Sequence, residues 1–182
     1  MADTPLRPPL PYEFLPPVPS LTVRSDDITD GEVFSDTHIA GATMGMSGGN
    51  LSPHLHWDEG PDGTQSYAVT CFDPDAPTGS GFWHWVMFDI PGSVTELPRG
   101  AGSGSMEGKP DAAMHARNDT GGLGYIGAAP PAGHGDHRYV FCVHAVGIPT
   151  LGLDESATPA YVGFNLTFNS LARGLIIAIY GR

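Results

Sequence analysis

Cysteine, positive charge and long apolar runs are all scarce in this sequence. The only two cysteines among 182 residues, Cys71 and Cys142, lie inside apolar runs. That setting favours reduced core thiols and a cytoplasmic location over a disulfide framework, although a single bridge stays open. No apolar run approaches the roughly 20 residues that span a bilayer, and prolines interrupt residues 1–20. The sequence therefore predicts neither stable membrane insertion nor a signal peptide.

Basic residues are outnumbered by acidic ones. Lys and Arg total 8 against 20 Asp and Glu, for a formal net charge of −12. The mean field of such a chain repels nucleic-acid backbones and anionic lipid surfaces. Nucleic acid is therefore not an expected partner.

Glycine and proline divide the chain into short segments. There are 25 glycines and 18 prolines, together about a quarter of the residues, beside 40% hydrophobic residues. The hydrophobic residues form short β-branched and aromatic runs, which favour a mostly β domain with long loops and exclude a helical bundle. We predict a Pro-rich extended arm over residues 1–20 and a single domain over residues 21–182.

Three runs predict strong strands. They cover residues 66–72, 82–90 and 137–146, while residues 21–23, 33–39 and 175–180 predict further strands. Alternation in the second strong run predicts one buried face shared by His84, Val86, Phe88 and Ile90. The same rule puts His137, Tyr139, Phe141 and Val143 on one side of the third.

One helix is predicted near the end of the chain. Thr158 and Pro159 are suited to its N-cap and first position. Tyr161, Phe164, Phe168 and Leu171 recur at helical spacing, and Gly174 is expected to end the helix.

Several short motifs match functional patterns without their structural context. Residues 122–127 fit a dinucleotide fingerprint but lead into Ala-Ala-Pro-Pro, and residues 45–49 fit a nucleophile elbow without a preceding strand. His54 and His56, with Asp58 and Glu59 nearby, keep a metal site open, but their spacing differs from that of a jelly-roll metal motif. We therefore predict no cofactor and no metal.

A more informative set of residues lies at strand ends and on core faces. Asp73 ends the first strong strand, His84 lies in the second, and His137 and Tyr139 open the third. Buried polar groups must satisfy one another or line a cavity. Three readings stay open: a structural Asp-His pair, a polar binding pocket, or a hydrolase or metal-dependent enzyme using the cluster for acid-base or ligating work. A lack of any credible nucleophile nearby favours a non-enzymatic protein. An interaction patch around Phe82 and Trp83 is a further alternative.

The ordered motifs of the chain resemble one known family. Ser52-Pro53-x-Leu55-x-Trp57 is followed by Asp73-Pro-Asp-Ala-Pro77 and by Phe82-Trp-His-Trp-Val86. Residues 116–119, 124–131 and 135–139 supply the later motifs, from Ala-Arg-Asn-Asp to Gly-x-His-Arg-Tyr. Together they resemble the phosphatidylethanolamine-binding protein (PEBP) family, in its bacterial Raf kinase inhibitor-like branch of the YbhB/YbcL type, over about residues 21–182.

This resemblance implies a PEBP-like β-sandwich of two antiparallel sheets with Greek-key-like topology and few short helices. It implies an anion pocket lined by Asp73, His84, His137 and Tyr139, with Pro77, Gly127, Ala129 and Pro130 at its rim. The implied ligand is phosphate, a phosphoethanolamine-like headgroup or a phosphorylated side chain of a partner protein, and the implied role is regulation or inhibition of signalling enzymes. Bacterial relatives also suggest a homodimer, for which no interface is visible in the sequence.

Two departures from the family limit this transfer. Ala128 and Ala129 stand where the family loop often has Gly, Cys or Pro, which changes the rim. The sequence given ends at Tyr180-Gly-Arg182 without the terminal helix of the animal proteins. Regulation of a Raf-type kinase is therefore not carried over.

Overall fold

The computed structural model describes residues 7–182. Within them, eight strands form two antiparallel sheets, accompanied by one α-helix and two 3₁₀ turns at Pro11–Glu13 and Ala42–Met44. The strands are β1 (Val23–Arg24), β2 (Leu55–Trp57), β3 (Ser66–Asp73), β4 (Phe82–Pro91), β5 (Glu96–Leu97), β6 (Met114–His115), β7 (His137–Val146) and β8 (Ser170–Tyr180). The large sheet has the order β6-β4-β3-β7-β8 and the small sheet β1-β2-β5. The predicted mostly β class with two antiparallel sheets is confirmed.

The three strong runs form the middle of the large sheet. β3 lies between β4 and β7, and Cys71 pairs with Trp85 on one side and Phe141 on the other. These strands are apolar on both faces because both are covered. The small sheet closes one face with Leu55, Trp57 and Leu97, and helix α1 (Pro159–Asn169) closes the other with Val162 and Leu166.

β4 does not keep the face that simple alternation predicts. Its register with β3 shifts twice, so that Trp83 pairs with Phe72 while Trp85 pairs with Cys71. Val86 and Phe88 pack on the helix side, but Ile90 packs in the core between the sheets. The predicted common face of His84, Val86, Phe88 and Ile90 is wrong, because each β-bulge inserts one residue and reverses the alternation.

The helix begins as predicted and buries an aliphatic face. The Thr158 side chain accepts a hydrogen bond from the Tyr161 amide, and Pro159 opens the helix. Phe164 and Phe168, however, are exposed by 59% and 71%, while the side chains that pack on the sheet are those of Val162 and Leu166. Packing against β4 therefore buries the aliphatic side chains and leaves the aromatic ones exposed.

The helix also ends earlier than predicted. It stops at Asn169, and Ser170 immediately starts β8, which pairs with β7 along its whole length. Gly174 therefore lies inside a strand and does not end the helix. A Cβ there would collide with the Leu21 carbonyl, because the chain at Pro19–Leu21 hydrogen-bonds to β8 beside it.

The outer edge of β8 is covered by the first part of the chain. Ser20 bridges to Arg173 and Val33 to Ile179, both parallel. Residues 33–39 thus contribute isolated bridges at Val33 and Ile39 rather than the predicted strand. Of the predicted arm, residues 1–6 lie outside the described residues; residues 7–20 cross the helix side of the large sheet, where the Tyr12 hydroxyl meets Thr70.

Both cysteines are buried free thiols. Cys71 belongs to the core between the sheets, whereas the Cys142 sulfur contacts His144 on the helix side. Opposite faces of one sheet keep the two thiols apart. Over residues 7–182, no helix has both the length and the apolar character needed to cross a bilayer.

Candidate functional site

A cavity of about 130 Å³ opens at one end of the core between the sheets. Its walls come from the ends of β3, β4 and β7 and from two proline-containing loops. The lining residues are Met44, Asp73, Ala76, Pro77, Thr78, Phe82, His84, Ala129, Pro130, Pro131, His137 and Tyr139. Seven of the eight predicted site residues are in this list, and Gly127 is the exception.

His84 reaches the cavity because it is the extra residue of a β-bulge. On β3, Cys71 and Phe72 are consecutive, but their partners Trp85 and Trp83 have His84 between them. The bulge aims the imidazole at the end of the inter-sheet core, where its ring lies 5.0 Å from that of Tyr139. Phe82 packs beside it at 4.8 Å.

Asp73 and His137 form the polar base of the cavity. Oδ2 of Asp73 accepts a hydrogen bond from Nδ1 of His137 at 2.7 Å, and Oδ1 accepts the Asp75 amide at 2.8 Å. Burial raises the pKa of Asp73, and the His137 hydrogen bond partly opposes this rise. Because Nδ1 of His137 holds the proton, Nε2 carries the lone pair, and it lies 2.7 Å from Nδ1 of His134.

The proton of His84 is also assigned by its contacts. Nδ1 lies 2.8 Å from the Ile126 carbonyl, which can only accept, so Nδ1 carries the hydrogen. Burial lowers the pKa of His84 to about 4. The neutral ring therefore presents the Nε2 lone pair, which accepts from an ammonium, a hydroxyl or a protonated phosphate rather than donating to a phosphate oxygen.

Tyr139 carries an orphaned hydroxyl. The side chain is 1% exposed; the Ala129 amide lies near its oxygen, but its O–H has no acceptor in the described part of the chain. Burial raises the pKa of Tyr139, so the group remains a neutral O–H donor. Leaving such a group unpaired costs about 1–3 kcal/mol. A ligand oxygen would satisfy it.

The Asp73–Pro77 turn, which forms one side of the cavity rim, is held in place by Arg138. Asp75 receives two hydrogen bonds from the Arg138 guanidinium and one from the Arg138 amide, which ties the Asp73–Pro77 turn to β7. Burial raises the pKa of Asp75, but the Arg138 contacts outweigh it and the pKa is lowered. The rim is therefore held by a charge pair beside the cavity.

Gly127 lies behind the cavity wall. Its amide donates to Asn50 Oδ1 at 2.8 Å, and a Cβ would collide with the backbone of Ile39 and Ala40. The glycine thus permits close packing of two loops. It positions Ala129 and Pro130 without lining the cavity itself.

Sequence reasoning missed five lining residues and one neighbour. Phe82 could have been found, since it precedes His84 by two positions on the same strand. Met44, Ala76, Thr78 and Pro131 lie in loops, where no periodic signal exists. His134 lies in the same loop as Pro131, and its only sequence signal is its three-residue spacing from His137. The half-buried Trp83 packs on the helix-side core, and Phe82 lines the cavity, so the two do not form a common patch.

The second histidine pair lies elsewhere, on the small sheet. His54 Nε2 is 3.2 Å from Glu96 Oε1, and its Nδ1 accepts the Asp26 amide. The rings of His54 and His56 are 5.6 Å apart. In the region covered by the structure, no group of three or more His, Cys, Asp or Glu side chains could hold a metal ion.

Comparison with known proteins agrees with this architecture. A family model described as phosphatidylethanolamine-binding protein matches residues 24–181. The chain is 49% identical over 156 residues to UPF0098 protein YbhB of Escherichia coli K12, covering 86% of this chain and 97% of that protein. It is 42% identical over 158 residues to UPF0098 protein YbcL of the same strain, covering 87% and 86%.

Solved structures give the same result. The crystal structure of E. coli YbcL, described as a new member of the mammalian PEBP family, superposes with a TM-score of 0.85 at 41% identity, covering 90% of this chain and 99% of that one. A PEBP homolog from Chlamydia trachomatis shares the fold with a TM-score of 0.74 at 21% identity, covering 90% and 98%. With its fold, its motifs and these relatives in agreement, the chain belongs to the phosphatidylethanolamine-binding protein family.

Proposed function

We propose that the cavity binds the phosphate group of a small phosphorylated molecule, with a phosphoethanolamine-like ammonium phosphate as the ligand class. The single observation that carries this proposal is the Tyr139 hydroxyl, a buried donor without a partner at the cavity. A volume of about 130 Å³ leaves room for several waters, and so for a phosphate with a short extension.

The remaining wall groups favour a ligand of mixed charge. A protonated His137 can donate from Nε2 to a phosphate oxygen, and its neighbour Asp73 stabilises that charge. A neutral His84 and the Asp73 carboxylate both suit an ammonium group. Because these contacts are short-range, they can act against the net charge of −12.

Catalysis is not part of the proposal. Burial raises the pKa of both Cys71 and Cys142, so neither is poised as a thiolate. Thr78 lines the cavity, but its hydroxyl donates to the Gly81 carbonyl. We also propose a cytoplasmic location, since two unpaired thiols suit a reducing compartment.

Titration calorimetry of the metal-free protein tests the proposal. Phosphoethanolamine should bind more tightly than either ethanolamine or inorganic phosphate, because only it engages both kinds of wall group. A phosphoserine peptide as a further arm distinguishes a small ligand from the phosphorylated side chain of a partner protein that a signalling role would require. An absence of heat from all four probes at millimolar concentration contradicts the proposal.

A matched pair of variants locates the binding. His137→Ala should weaken phosphoethanolamine binding about tenfold or more through loss of a charge-assisted hydrogen bond. His56→Ala, on the small sheet, should leave the affinity unchanged. If His137→Ala unfolds less cooperatively while keeping its affinity, the Asp73–His137 pair is structural.

A further inference from the structure

His137 separates two cavities. On one side it lines the candidate binding site; on the other it borders an open cleft lined by Arg7, Asp75, His134 and Asp136. His134 enters from this cleft and places Nδ1 2.7 Å from Nε2 of His137. The loop residue is exposed, whereas the His137 side chain is only 2% exposed.

The protonation state of His137 decides whether its Nε2 can bind an anion. Asp73 Oδ2 accepts from Nδ1 of His137, so a neutral His137 has only a lone pair at Nε2, and His134 donates to it. That lone pair repels an anionic oxygen. Once His137 gains a second proton, its Nε2–H can donate to either His134 or an anion, but not fully to both.

We propose that His134 is a built-in competitor of the ligand, occupying Nε2 of His137 until an anion and a proton arrive together. This inference rests on the proposed function and adds its regulation. Anion binding then takes up about one proton and releases the His134 ring toward solvent. The site discriminates against anions when His137 is neutral.

The loop is built to let His134 leave. Gly133 and Gly135 flank it with φ of 77° and 91°, conformations that favour glycine, and no atom lies within 4 Å of a Cβ added at either. The His134 amide donates only to Pro131, within the same turn. A rotation of the ring therefore requires no change in the sheets.

Several charged or titratable groups face His137. Asp73 of β3 accepts a hydrogen bond from its Nδ1, and Asp75, which is paired with Arg138, borders the same cleft. His84 of β4 is a neutral neighbour, and Tyr180 is its register partner on β8. Asp136 precedes it in the loop.

Sulfate is the sharpest probe, because its charge does not change between pH 5 and 8. Calorimetry in two buffers of different ionisation enthalpy gives both its affinity and its proton uptake. For the unmodified protein we expect affinity to fall as the pH rises and uptake of about one proton. His134→Ala should bind sulfate about two- to tenfold more tightly, the range of one hydrogen bond.

Two further variants complete the test. His134→Gln keeps an amide that can still cap Nε2, so its affinity should lie between those of the unmodified protein and His134→Ala. His56→Ala should change nothing. Ring ¹⁵N spectra of His137 should show Nε2 protonated in the sulfate complex.

The outcomes separate this inference from the proposed function. If sulfate binds the unmodified protein and His134→Ala equally, competition by His134 is wrong and the binding site stands. If neither protein binds sulfate, phosphate or phosphoethanolamine at any pH, the proposed function fails as well. Tighter binding without proton uptake contradicts the coupling to His137.

Discussion

Asp73 Oδ2 and His137 Nδ1 lie 2.7 Å apart, with the two side chains only 3% and 2% exposed. A buried carboxylate is stable only with partners, and here it accepts one imidazole and one backbone amide. The pair also fixes Nε2 as the imidazole nitrogen that remains for other partners. The hydrogen bond therefore joins the ends of β3 and β7 and also orients His137 for the site.

Asp73→Asn should separate the structural role of this pair from its role in ligand binding. The amide removes the charge that stabilises protonated His137, so affinity for inorganic phosphate should fall about tenfold. The free energy of unfolding should change by less than about 2 kcal/mol, because removal of a buried charge offsets a lost hydrogen bond. Calorimetry and urea unfolding measure the two effects. A large loss of stability with unchanged affinity would show a purely structural pair.

Tyr139→Phe should weaken ligand binding and raise the stability of the fold. The hydroxyl is buried and its O–H has no acceptor in the described structure, so its removal should raise the free energy of unfolding by about 1 kcal/mol. Phosphoethanolamine affinity should fall at least threefold, because a donor to the phosphate is lost. A destabilised variant that retains full affinity would place the hydroxyl outside the binding site.

Three buried histidines should make the protein sensitive to acid. Burial lowers the pKa of His84 and His115 to about 4 and that of His144 to about 3. A histidine in the unfolded chain has a pKa near 6.5. Between pH 6.5 and 4 the unfolded chain therefore binds protons at these three residues and the folded chain does not. The free energy of unfolding falls as the pH is lowered through this range. The raised pKa of Asp73 acts in the opposite sense.

Urea unfolding between pH 7.5 and 4.5 measures this slope. Each histidine contributes up to about 1.4 kcal/mol per pH unit. His144→Gln removes one titrating ring and should reduce the slope by about that amount, while His56→Gln on the small sheet serves as the control variant. A slope that His144→Gln leaves unaltered would count against the burial argument.

Two glycines should respond oppositely to alanine. Gly163 lies inside α1 with no neighbour within 4 Å of an added Cβ, so Gly163→Ala should stabilise the fold by about 0.5–1 kcal/mol. Gly174→Ala should destabilise it by more than 1 kcal/mol, since the Cβ meets the Leu21 carbonyl. Thermal melts compare the two. A change in stability of the same sign for both variants would contradict the packing of residues 19–21 on β8.

Much of the large sheet was predictable from sequence. The runs at 66–72, 82–90 and 137–146 became β3, β4 and β7 with ends changed by at most one residue, because β-branched and aromatic runs bounded by Gly and Pro have few alternatives. The start of α1 was equally predictable from Thr158 and Pro159. Local signals sufficed for these elements.

Features that depend on distant contacts were not predictable. The bulge at His84 exists only against β3, and β8 extends back to Ser170 because β7 offers a full-length partner. The exposed face of Phe164 and Phe168 carries the same helical period as a buried one. His134 lies in a loop without periodicity, so only the fold brings it to His137.

The central claim is that the cavity at the end of the inter-sheet core takes a phosphate-bearing ligand. Two-dimensional ¹H–¹⁵N spectra recorded during titration with phosphoethanolamine test it most directly. Saturable shifts confined to the amides of residues 73–78, 126–131 and 134–139 are the predicted result. Shifts scattered over the small sheet and α1, or no shifts at millimolar ligand, would contradict the claim.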